Sequence, residues 1–170
     1  MLSGAHPLIL KKLPLIVKIY TMSTYTEEVG KKLNALLEKT YDAESGFKKA
    51  ADNAKDANLK SYFQRKSAER NQFGHELKSE IMQYGQEIEK GGSAAGAMHR
   101  TWMDVKAFFS LDNDESMLEA AITGENAAVK EYQQALTEVN LPPSTSTLLT
   151  QQMNKIKSDL STIKSLEDVS

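Results

Sequence analysis

There is no cysteine in the chain. That absence removes disulfides, thiolate nucleophiles and zinc-thiolate sites together, and it suits a reducing, cytoplasmic compartment. Proline is scarce, with four in 170 residues, and strand-like alternation is missing, so long helices meet few breakers. Charge of one sign is missing too. The formal net charge is −2, with Lys and Arg spread along the chain, and neither a nucleic-acid nor a membrane partner is expected. The apolar run from Pro7 to Lys18 is broken by two lysines and Pro14, lacks a basic stretch before it and a small-residue cleavage site after it, and is too short to span a bilayer. Residues 1–23 therefore read as an extension outside the fold, with Met22-Ser23 an alternative start and a surface-binding amphipathic segment the minority reading.

What is present is helical periodicity from Thr24 onward. Thr24 to Glu27 offers a capping box, after which Val29, Leu33, Leu36, Leu37, Thr40, Ala43, Phe47, Ala50 and Ala54 recur at i, i+3, i+4 and i+7, predicting a helix over about 26–54. Asp56 is a cap for a second helix to about Tyr84, and Gly91-Gly92-Ser93 breaks the pattern before a third around Trp102. A fourth begins after the turn at 112–115 and stops before Pro142-Pro143. Ser144 to Lys164 is a fifth amphipathic segment, with Leu148, Leu149, Ile156, Leu160 and Ile163. Its stripe needs a cover, either the bundle or a second subunit, and a homodimer is the favoured expectation.

The chemistry-bearing residues are charges that point inward. At ~100° per residue, Glu44 projects within roughly 40° of the centre of the first apolar stripe, and Glu125 falls inside the face of the fourth helix. Each lies about eleven or twelve residues, roughly 17 Å, from its hairpin turn, so both sit at mid-bundle. On the second helix Lys66 and Arg70 project near the centre of the apolar face, flanked by Glu69, Glu76 and Glu80. Carboxylates in that position suit an iron or manganese centre, with Glu44 and Glu125 as the first ligand candidates and Glu69 and Glu76 as weaker ones. Such centres pair glutamates with Glu-x-x-His motifs, and no Glu-x-x-His occurs in the chain. The leading alternative is a core ionic network in which Lys66 and Arg70 neutralise the glutamates. His75 and His99 project outward.

Several blocks together resemble a bacterial ferritin-like four-helix-bundle family catalogued as a domain of unknown function. They are Leu33 to Glu38, Asp42 to Phe47, Ala68-Glu69-Arg70 through Glu76-Leu77, Gly92-Ser93 with His99 to Trp102, and Gly124-Glu125 with Tyr132 to Leu136. The resemblance implies a ferritin-like fold with a lengthwise crossover between its two hairpins; it supplies no activity. The expected architecture is all-α, a ferritin-like four-helix bundle over 24–140 with an additional C-terminal helix in 141–170. The expected role is a non-enzymatic structural, binding or stress-accessory protein with a degenerate metal site. A carboxylate-bound iron or manganese redox protein is the alternative.

Overall fold

The computed structural model describes residues 14–89, 113–165 and 168. They form four helices and, among the described residues, no strand: α1 (Leu15–Asn53), α2 (Ala57–Gln83), α3 (Asp114–Glu138) and α4 (Pro143–Thr162). The protein is all-α. The expected helix around Trp102 and His99 lies outside the described residues.

α1 starts eleven residues earlier than the periodicity predicts, directly after Pro14. Pro14 supplies an extended residue with no N–H, and nothing between Leu15 and Thr24 interrupts a helix once it has begun. The capping box is not used. Thr24 is already inside the helix, and its hydroxyl donates to the Tyr20 carbonyl at 3.0 Å. At the other end α1 stops at Asn53, and Asp56 caps α2 by accepting from the Leu59 N–H at 2.8 Å. Asp114, the first residue of α3, pins that turn by accepting from the backbone N–H groups of Lys55 and Asp56 at 3.0 and 2.6 Å. α2 stops at Gln83, and Gly85 just beyond it takes a φ of 65°, which favours a residue without a Cβ.

Cross-helix bonds fix the directions. Asn34 on α1 is buried and donates to the Glu87 carbonyl, while its side-chain oxygen accepts from the Glu89 N–H, both at 3.0 Å. The chain beyond α2 is thus tied back beside the first half of α1, next to Gly30, where an added Cβ would come within 2.6 Å of Gln86. Tyr25 donates to the Asn140 carbonyl at 2.6 Å and Lys32 pairs with Glu138 at 2.6 Å, so the end of α3 lies at the same end of the bundle. α1 and α4 therefore run one way, α2 and α3 the other. The described chain leaves at Glu89 near one end and returns at Asn113 near the other, about 30 Å away for the turns of α1 between them.

α4 corrects the expectation that favoured a second subunit. Leu149, Met153 and Ile156 enter the same core as Leu33, Leu37, Leu77 and Ile81. Its stripe is covered by its own bundle and no longer argues for a dimer. A second apolar cluster, around Phe47, Leu59, Phe63, Met117 and Leu118, fills the end near the α1–α2 turn. No described helix is long and apolar enough to cross a membrane.

Candidate functional site

The two clusters are separated by charge. One turn of α2 contributes Lys66, Glu69 and Arg70; α3 contributes Glu125 and α4 contributes Asp159. Lys66 and Arg70 are each 2% exposed and Glu125 3%. The Lys66 Nζ lies 2.7 Å from Glu69 Oε1, 2.6 Å from Asp159 Oδ2 and 3.3 Å from Glu125 Oε1. Arg70 donates to Glu125 Oε2 and reaches Glu69 Oε1 at 3.4 Å. Its guanidinium also stands over the Phe73 and Phe47 rings, 5.1 and 5.9 Å from their centroids, one from each apolar cluster.

Three carboxylates thus meet two buried cations, and Lys155 lies 3.8 Å from Glu69 at the exposed rim. Such a layer persists only because every buried charge has an opposite neighbour. The exception is one of geometry: Glu125 Oε1 is close enough to Lys66 for an ion pair, yet it accepts no hydrogen bond. Burial alone would lower the Lys66 pKa; attraction to Glu125 and Glu69 and the bond to Asp159 outweigh it and the repulsion of Arg70, and the net shift is upward. Lys66 is held as an ammonium, not as a free amine. Burial, with Glu125 adding to it, also raises the Tyr62 phenol, and burial pushes Tyr132 up to about 12.

A polar file continues from this layer along α2 and α4. Gln152 donates to Glu76 at 2.7 Å and accepts from Tyr132 at 2.8 Å, and Thr145 donates to the buried Glu80 and meets the Tyr84 hydroxyl. A small cavity of about 30 Å³ lies between α1 and α3, lined by Leu36, Thr40, Ala43, Arg70, Ala128 and Tyr132 among others. It is large enough for a water molecule but far too small for a metabolite.

Of the residues singled out from sequence, Lys66, Arg70, Glu69 and Glu125 come together and Glu44 and Glu76 stay apart. Glu44 is half-buried on the seam between α1 and α2, where it accepts from Asn71 at 2.9 Å. The projection fixes its angle about α1 but not which neighbour stands there, and that neighbour is Asn71, one residue round the helix from Arg70. Arg70 and Lys66 therefore neutralise Glu125, not Glu44. Glu76 belongs to the Gln152 file, and His75 is exposed. Asp159, Gln152 and Thr145 were not singled out. Their signal is the seven-residue spacing 145, 152, 159, whose side chains meet Glu80, Glu76 and Lys66 on antiparallel α2 and mark a polar seam on an apolar helix.

Among the described residues no three His, Cys, Asp or Glu side chains are placed to hold a metal ion. Around Lys66 the oxygens stand at 2.6 to 3.3 Å, the spacing of an ammonium and wider than the roughly 2.0–2.2 Å of oxygen ligands on zinc or magnesium. No curated protein matches the chain. The sequence model of the domain of unknown function DUF2383 matches residues 28–138, which take in the buried part of α1, all of α2 and α3, and four of the five charged residues of the layer, and the chain belongs to that family.

Proposed function

We propose that this protein is a ferritin-like bundle in which a tethered ammonium takes the position of a metal, and that it works in the cytoplasm as a non-enzymatic structural, binding or stress-accessory module. The observation that carries this reading is Lys66 Nζ in the midst of Glu69, Glu125 and Asp159. The cation is covalently part of the chain, cannot be exchanged, and with a raised pKa is not available as a nucleophile. Two antiparallel hairpins whose inner helices run parallel, with the described chain ending at Glu89 near one end of the bundle and resuming at Asn113 near the other, support the ferritin-like connectivity. The cysteine-free composition supports the reducing compartment.

A carboxylate-bound iron or manganese redox protein is the second reading. The buried Glu125 Oε1 without a hydrogen-bond donor favours it. Elemental analysis of protein expressed with both metals and purified without chelator separates the two. The expected outcome is iron and manganese well below one equivalent in wild type and in Glu125→Ala alike. Stoichiometric metal in wild type that disappears in Glu125→Ala would sink the ammonium-filled reading.

A further inference from the structure

The first turns of α1 break the rule that the rest of the helix obeys. From Val29 to Ala51 its apolar stripe is buried, but Leu15, Ile16, Ile19, Tyr20 and Met22 are 60–81% exposed, and Val17 is 39% exposed. At ~100° per residue Met22, Leu15, Ile19, Ile16 and Tyr20 cover an arc of roughly 160°, and Lys18, Thr21 and Thr24 lie on the other side. The chain-wide charge average hides a second contrast. Residues 1–26 hold Lys11, Lys12 and Lys18 and no acid, leaving 18 basic against 23 acidic residues in the remainder.

We propose that this overhanging end of α1 is a surface-seeking segment that lies on an anionic lipid bilayer. Four observations choose that occupant. The helix is too short in apolar length to cross, so it lies in the interface, where apolar side chains enter the acyl boundary and lysines meet anionic headgroups. A second copy of the segment would bring like charges together. A helical partner would also cover only the seam Leu15, Ile19 and Met22, leaving Ile16 at 81% and Tyr20 at 74% bare. Elsewhere among the described residues the exposed large apolar side chains are Tyr41 and Met82 alone, so the described part of another copy offers no apolar patch to receive the stripe. A bilayer covers the whole arc at once, and Tyr20 suits its headgroup level.

The inference is independent of the ionic layer, and the metal analysis above cannot decide it. Its test is co-sedimentation of the full chain with vesicles of phosphatidylcholine, alone and with about one third phosphatidylglycerol, for wild type and for the double variant Ile16→Asp/Ile19→Asp. Binding to the anionic vesicles at least about tenfold tighter than to the neutral ones, weakened by salt and lost in the double variant, is expected. The variant should fold normally because both side chains already face water, and an unchanged thermal melt verifies it. Equal or undetectable binding to the two vesicle types would overturn the proposal. So would a lipid-independent rise in wild-type mass that the same substitutions remove, which would assign the stripe to a second copy. An intact mass showing that the native protein begins at Met22 or later would overturn it as well.

Discussion

The apolar cluster around Leu33, Leu77 and Leu149 and the three innermost charges of the layer beside it are almost equally dry, with Leu33 and Leu77 at 0% exposure and Lys66, Arg70 and Glu125 at 2–3%. They differ in what dryness does for them. Each leucine gains by leaving water whatever its neighbour is, because the hydrophobic term has no direction. A buried charge loses several kcal/mol on leaving water and recovers them only from a partner in the right place. The apolar clusters are thus tolerant of detail and stabilising, while the layer is intolerant of detail and close to neutral as a whole.

The largest effect expected from that contrast comes from removing one partner. Glu125→Ala leaves the buried Arg70 with only Glu69 at 3.4 Å and should cost about 3–5 kcal/mol, read as a shift in the urea midpoint. Glu44→Ala, which loses one half-exposed bond to Asn71, should stay within about 0.5 kcal/mol of wild type. Equal losses in the two variants would mean that the layer is wetter than its burial indicates. Removing every partner should act in the opposite direction. Lys66→Met, Glu69→Leu, Arg70→Leu and Glu125→Leu together leave only the partly exposed Asp159 to be solvated, and stability should be unchanged or higher by up to about 4 kcal/mol. A quadruple variant less stable than Glu125→Ala would show that the charges stabilise the fold outright.

The smallest effect is the dependence on alkali. Lys66 and Tyr132 both have raised pKa values in the folded protein. The stability each contributes is complete below its unfolded value, near 10.5 and 10.0, and is lost as pH rises through the folded one. Above about pH 10 the unfolded chain binds fewer protons, so stability should fall by up to about 1.4 kcal/mol per pH unit for each group. Tyr132→Phe should make that decline shallower while leaving the neutral plateau flat. An identical alkaline slope in the variant would place the Tyr132 titration outside the folding equilibrium.

Periodicity made α2 and α3 legible because their capping residues, Asp56 and Asn113, stand where the apolar pattern begins. The start of α1 was not legible, since the helix begins directly after the extended Pro14, whose carbonyl accepts from the Lys18 N–H, with no side-chain cap to mark it. The placement of α4 was hidden for a different reason. A stripe such as Leu149, Met153 and Ile156 states that a cover exists and does not state whose. In the candidate site the same limit separates Glu125 from Glu44. Both lie on inward arcs, but only the three-dimensional order of the helices sets Arg70 against one and Asn71 against the other. Asp159 was carried by a seven-residue polar repeat that looks like a solvated face until its antiparallel partner is known.

The ionic layer also bears on how the bundle counts its own turns. Apolar faces with repeating leucines can slide past one another by a heptad at modest cost, because the next side chain resembles the last. If α2 slipped by seven residues against α3 and α4, Phe73 would stand where Lys66 meets Asp159, and the two cations would enter the cluster around Phe63 without partners. Each such misalignment strands charge in a dry core. Through this layer one alignment of the four helices is distinguished from its near repeats, a gain in uniqueness that a stability measurement on the correctly assembled protein would not register.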